Sequence, residues 1–263
     1  MEAPVRVNDL SKIFYDEARG EVRAVDQLNF HCMSGEIYGL LGANGAGKTT
    51  TLRMLATILK PSSGSAHIMG HSIVAEPDLV RQNIGYHSAS TALYARLSTR
   101  ETLEFFARLN HYPKEKVQKR ASELIERFGL SEYADARVEK LSTGMKQKVS
   151  LARTVAHDPK VLIFDEPTAA LDVLSALEVR SIIAELKNSG KAILFSTHIM
   201  SEAEKLCDRI GIMHTGQLLA EGTLSELRAQ TGLHYLEDIF VHFVEQGRDK
   251  KRQEDGAPKK SEI

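Results

Sequence analysis

"EIYGLLGANGAGKTTTLRMLATIL", residues 36–59, decides the fold. It opens on a short apolar run, passes through a glycine-rich turn and ends in a helical pattern. Strand, tight loop and helix in that order are the setting of a phosphate-binding loop. Within it, "GANGAGKT" (42–49) fits G-x-x-x-x-G-K-[ST]. In such a loop the backbone N–H groups turn inward on an anion. Gly42, Asn44, Gly45, Ala46 and Gly47 are therefore the candidate cradle, with Thr50 in the first helical turn. Lys48 is placed to reach the β and γ phosphates, and the Thr49 hydroxyl to ligate Mg²⁺.

Outward from that loop, "VLIFDEP" (161–167) puts Asp165 and Glu166 where a second buried run stops. Adjacent carboxylates at such a point are costly unless they meet a cation or a proton. Asp165 is the candidate Mg²⁺ ligand, through water, and Glu166 the group that polarises an attacking water. His198, in "FSTHIM", follows a third apolar run and is expected on the same sheet edge, hydrogen-bonded to the γ-phosphate and the water. His67 and His71 have the spacing of a helical metal pair, but the intervening "IMG" is a turn, and no metal role is assigned to them. "KLSTGMKQKV" (140–149) reads as a turn opening into a helix with Ser142 and Gly144 at its mouth, a second place where helix N–H groups can meet an anion.

The remaining pattern predicts an α/β core with a helical insertion at roughly 90–155. The first 35 residues alternate as half-buried antiparallel strands do. Ser98 and Glu101 fit a capping box. Val117, Ala121, Leu124, Ile125 and Phe128 keep one apolar helix face, and Met145, Val149, Ala152 and Val155 another. A helix is expected through 173–187, and a hairpin turning at Thr215-Gly216. Residues 233–245 read as an amphipathic helix, and 246–263 as a disordered tail with little to bury.

Composition narrows the function. Basic and acidic residues nearly cancel, 34 against 35, so no global field points to nucleic acid. Cys32 and Cys207 make no disulfide framework, which suits a reducing cytosol. No apolar run approaches the roughly 18–20 residues a membrane helix needs, and no signal pattern opens the chain. A soluble chain is expected, with any membrane role supplied by a partner.

"GANGAGKTT", "LSTGM", "VLIFDEPTAALD" and "STH", in this order and at these separations, resemble the nucleotide-binding domain of an ABC transporter across about residues 4–225. The resemblance implies a P-loop NTPase (RecA-like) core with an N-terminal antiparallel β subdomain and an inserted helical subdomain. The domain would span 1–232, with core about 1–88 and 156–225 and helices about 89–155. It implies ATP and Mg²⁺, and a second cassette, as a homodimer paired head to tail. "LSTGM" stands at the family's LSGGQ signature, so Ser142 and the Gly144 N–H would contact the γ-phosphate held by the partner's loop. Thr143 and Met145 depart from that signature. Asp172 would sit at the dimer seam. Phe14, or Tyr15 in its place, would stack on adenine. The family's Mg²⁺-touching glutamine aligns near Ala89, where Ser88, Ser90 or water would have to substitute.

More narrowly, "LSTGMKQKVSLARTVAHDPKVLIFDEPTAALDV" is similar to the ATPase subunits of NatA-type sodium exporters, whose membrane partner is a separate ABC-2-type permease. That implies a cytoplasmic protein held at the inner face of the membrane by its permease, with Tyr94, Leu97 and Phe105 as candidate docking residues. A soluble ABC ATPase of an assembly complex, with no membrane partner, is the alternative.

Overall fold

The computed structural model describes residues 2–17, 20–88, 92–169 and 171–255. Ala89 and Ser90, at the site of the expected glutamine, lie outside the described residues, as do 256–263 of the tail.

Two long strands open the chain, β1 (Val5–Asp16) and β2 (Gly20–Cys32), paired antiparallel. Their alternation buries Val5, Val7, Leu10, Val25 and Leu28. β3 (Ile37–Leu41) then leads through the glycine loop into α1 (Lys48–Leu55). β4 (Ser63–Ile68) and β5 (His71–Ser72) return to β1, giving a four-stranded sheet ordered β2-β1-β4-β5. Next come α2 (Pro77–Asn83), with proline in its first turn, and β6 (Ile84–Ser88).

Three helices follow. α3 (Thr99–Leu109) starts from a complete Ser98–Glu101 capping box. α4 (Val117–Arg127) buries Val117, Ala121, Leu124 and Ile125, and α5 (Thr143–Thr154) buries Val149 and Ala152. The chain re-enters the core with β7 (Val161–Asp165), α6 (Val173–Asn188) and β8 (Ala192–Thr197). It finishes with α7 (Met200–Leu206), the hairpin β9 (Arg209–His214) and β10 (Gln217–Gly222), α8 (Leu224–Thr231) and α9 (Leu236–Asp255). The hairpin turn has Thr215 at φ 44° and Gly216 at φ 83°, both left-handed as a tight twisted hairpin needs.

The larger sheet is ordered β10-β9-β3-β8-β7-β6 and is parallel from β9 to β6. Its centre is covered on both sides, which is why its strands read as unbroken apolar runs. Leu162, Phe164, Ile193 and Phe195 pack under the helices α3 to α6. Val161, Ile163, Ala192 and Leu194 face the opposite way, toward α1 and the antiparallel sheet. The fold is thus α/β, with a P-loop NTPase core, an antiparallel β layer and inserted helices.

One expectation is corrected. Residues 246–255, read as part of a disordered tail, are helical. The first half of α9 is anchored through Leu236, Ile239 and Val244, and a Cβ added at Gly247 would lie 3.2 Å from Leu219, so the helix continues in contact with β10. Extending an already anchored helix avoids the cost of nucleation, and the Lys, Arg, Gln and Glu residues beyond Gly247 are good helix formers.

β6 carries a fully buried histidine, His87. Burial, with Arg153 nearby, pushes its imidazole down from 6.5 to about 4. The unfolded chain therefore binds a proton in this window that the folded chain refuses. The stabilisation is complete above pH 6.5 and drains away as pH falls toward 4, to the extent of about 3 kcal/mol. Burial also lowers His157, which acts with the same sign. Urea midpoints at pH 7 and pH 4.5 should show this loss. A His87→Phe variant, unable to charge, should lose distinctly less stability over the same interval.

Candidate active site

The parallel strands bring three sequence-distant ends to one sheet edge. Leu41 of β3 pairs with Thr197 of β8, and Ser196 of β8 with Asp165 of β7. Past these residues lie the glycine loop, Glu166 and His198, so His198 does fall on the expected edge. β3 is inserted between β8 and β9, and the ligand site lies outside the C-terminal ends of these parallel strands, as it does in other open α/β sheets.

The loop is shaped by close packing. A Cβ at Gly42 would stand 2.5 Å from the Met213 carbonyl oxygen, so no larger residue fits. Gly47 caps α1 at φ 103°, with the Ala24 carbonyl 2.5 Å from where its Cβ would be. Among the described residues α1 has no side-chain cap and no acidic group in its first turn, so its N-terminal field is left for an anion. Asn44 and Gly45 are exposed at the tip, Ala46 is buried beneath, and Thr49 and Thr50 are half-buried.

Lys48 is 4% exposed, and its Nζ donates to the Gly42 carbonyl (2.7 Å) and the Ala43 carbonyl (3.2 Å). It lies 3.5 Å from Glu166 Oε1. Burial lowers its pKa, and Glu166 and Asp165 oppose that shift. Asp165, also 4% exposed, accepts from Thr49 Oγ1 at 3.0 Å and Ser196 Oγ at 2.7 Å. Glu166 takes a left-handed backbone, φ 49°, which costs about 1–3 kcal/mol for a residue with a side chain. Its N–H donates to the Ser196 carbonyl and to Ser196 Oγ. Its Oε1 lies 3.2 Å from His198 Nδ1, so Lys48 and His198 converge on one carboxylate oxygen.

A second group forms at the helix mouths. Ser142 caps α5, its Oγ accepting from the Met145 N–H at 3.3 Å. Asp172 caps α6 through the Leu174 and Ser175 N–H groups, both at 3.0 Å, and takes the Ser175 hydroxyl at 2.6 Å. That hydroxyl is the first cause of its lowered pKa. A Cβ at Gly144 would stand 2.8 Å from Ser175 Oγ, so the two mouths abut. Among the described residues, no hydrogen bond or ion pair joins Ser142, Gly144 or Asp172 to Lys48, Asp165 or Glu166. Phe14 stands apart on β1, opposite Val22 and 40% exposed, with Lys12 Nζ 5.1 Å from its ring; Tyr15 is 83% exposed. His67 and His71 lie on β4 and β5, with His71 Nδ1 3.1 Å from Glu76.

Ser196 was not foreseen. Its signal was a small polar residue ending the apolar run "AILF", one step before Thr197-His198.

A family model described as "ABC transporter" matches residues 25–169, which takes in the glycine loop and both carboxylates. The ABC transporter ATP-binding protein NatA of Bacillus subtilis is 39% identical, over 92% of this chain and 99% of its own. The daunorubicin resistance ATP-binding protein DrrA3 of Streptomyces coeruleorubidus is 39% identical over 81% of this chain and 67% of its own. Among solved structures, an ATP-binding subunit of an ABC transporter superposes with TM-score 0.81 at 30% identity, covering 91% of this chain and 99% of that one. With its family model, its relatives and its fold in agreement, the chain belongs to the ABC transporter ATP-binding family and is an ABC-type ATPase that binds and hydrolyses ATP.

Proposed function

We propose that this chain powers an exporter whose membrane-spanning part is a separate polypeptide. One observation carries the catalytic half of the reading, the meeting of Lys48, Thr49, Asp165, Glu166 and His198 at one sheet edge. The loop N–H groups and Lys48 hold the triphosphate. Glu166 accepts the proton of the attacking water, and His198 steadies the γ-phosphate and that water. The Thr49 hydroxyl and the Asp165 carboxylate, 3.0 Å apart, are a hard-oxygen pair that fits Mg²⁺. Charge neutralisation at the phosphates is what that ion supplies when bound. Phe14 stacks on adenine.

The α5 mouth, with Ser142 and Gly144, meets the ATP of a second copy in a head-to-tail dimer, and Asp172 lies at the seam. Two bound ATP molecules close that dimer and hydrolysis lets it reopen, which gives the membrane subunit its two states.

Among the described residues no helix is long and apolar enough to cross a membrane. The permease docks where α3 and the segment before it expose an aromatic cluster. Tyr94 (56% exposed) meets Phe105 (42%) edge-on at 5.7 Å, and Phe106 meets Phe105 at 5.2 Å. A cavity of about 420 Å³ opens beside them, lined in part by Tyr86, Tyr94, Phe106 and Leu109. Leu97 contributes less, being half-buried with its carbonyl bonded to the Val138 N–H. The protein is thereby peripheral, on the inner face of the membrane. Resemblance to NatA-type exporters favours sodium as cargo; a drug is what DrrA3's name carries.

Capture of the tagged chain from detergent-solubilised membranes should bring down a multi-helix hydrophobic protein, and Phe105→Asp should release it. Recovery of soluble partners alone would replace the exporter reading with that of an assembly ATPase.

A further inference from the structure

Gln147 is a polar side chain on α5 that reaches across to the carboxylate strand. Its Nε2 donates to the Pro167 carbonyl and lies 3.3 Å from His87 Nε2. An amide nitrogen has two hydrogens and no acceptor capacity. One hydrogen is committed to Pro167 and the other faces the histidine ring, so in this orientation His87 Nε2 serves as the acceptor; the ring proton is then on Nδ1, which is buried without a hydrogen-bond partner. Turning the amide over would set its oxygen against the Pro167 oxygen, acceptor to acceptor, so the network fixes this orientation. His87 is a rigid anchor, fully buried on β6 with its ring 6.2 Å from that of Phe164.

What this bridge holds is the turn that carries Glu166. The left-handed backbone at Glu166 persists only if its surroundings restrain it on both sides. On the N-terminal side, Ser196 takes the Glu166 N–H. On the C-terminal side, the Ala169 N–H bonds the Glu166 carbonyl, and Gln147 holds the carbonyl of the very next residue, Pro167. The same Gln147 belongs to the helix whose mouth is Ser142 and Gly144.

We propose that Gln147 is a positioning residue for Glu166: by donating to the Pro167 carbonyl while braced on His87, it sets the carboxylate's placement and links it to the α5 mouth. The proposal rests on Glu166 being the base. Displacing a reacting group by about 1 Å can cost on the order of 100-fold in rate without touching substrate binding. Gln147→Glu keeps the shape and removes both donors. In the purified full chain it should lower kcat about 10–100-fold and leave the KM for ATP within about twofold. Protonating the introduced carboxyl returns one donor to Pro167. The kcat deficit of Gln147→Glu relative to wild type should therefore shrink as pH falls, which a general loss of packing would not produce. A Gln147→Glu kcat within twofold of wild type, or a raised KM at unchanged kcat, would overturn the proposal. Should that variant fail to fold, the same kcat-against-KM split is read on Gln147→Met, with the same two outcomes. Glu166→Gln assayed alongside separates the layers. If it keeps turnover, the base reading has failed; if it is inactive while both Gln147 variants run at full rate, only the positioning role has failed.

Discussion

Glu166→Gln is expected to cut ATP turnover by about 10²–10⁴-fold, the range general-base catalysis supplies, while ATP still binds. The substitution is isosteric, so the hydroxyl and backbone contacts that hold the turn survive. What disappears is an acceptor able to take a proton. Lys48 keeps Asp165 nearby as a counter-charge. Removing a carboxylate from beside the phosphates also lifts a like-charge repulsion, so affinity for ATP should hold or improve. With hydrolysis blocked, the closed pair of cassettes should accumulate. Phosphate release reads the first effect, and size-exclusion chromatography with ATP reads the second as a shift to the dimer. Turnover near the wild-type rate would assign the base elsewhere.

Lys48→Ala should remove ATP binding by a comparable margin. Charge-assisted hydrogen bonds are worth about 1.5–3 kcal/mol each, and contacts to two phosphates lower affinity about 10²–10⁴-fold when both are lost. The same side chain also braces the loop, because its Nζ is bonded to the Gly42 and Ala43 carbonyls. Some loss of thermal stability is therefore expected alongside, and a melting curve shows whether the fold persists. A nucleotide titration with unchanged affinity would remove the phosphate-loop reading.

Much of the arrangement was legible because it is local. The glycine loop, the carboxylates after "VLIF" and the histidine after "AILFST" are each short patterns, and parallel strands necessarily bring their C-terminal ends to one edge. The all-round burial of β7 and β8 followed from their unbroken apolar runs, and the period-3.6 burial in α4 from its apolar spacing. What escaped was contact at a distance. Ser196 holds both Asp165 and the Glu166 backbone, yet within its strand it looks like a minor polar interruption. Gln147 sits two residues beyond the noticed turn, on a helix read for its apolar face, and its partners lie on two other elements. The left-handed backbone of Glu166 has no sequence signal, because glutamate does not favour it. The continuation of α9 carries Gly247 past Leu219 of β10, a neighbour that composition alone does not reveal.

The fit between Gly144 and Ser175 has a mechanical consequence. A methyl group there would need the Ser175 hydroxyl to turn aside, so the opening turns of α5 and α6 are in close contact. The Lys148–Glu178 ion pair, 2.8 Å, also joins the two helices, while the Asp172–Ser175 hydrogen bonds hold the start of α6 itself. A displacement of either helix start would therefore be felt by its neighbour, which couples two segments some thirty residues apart in the chain.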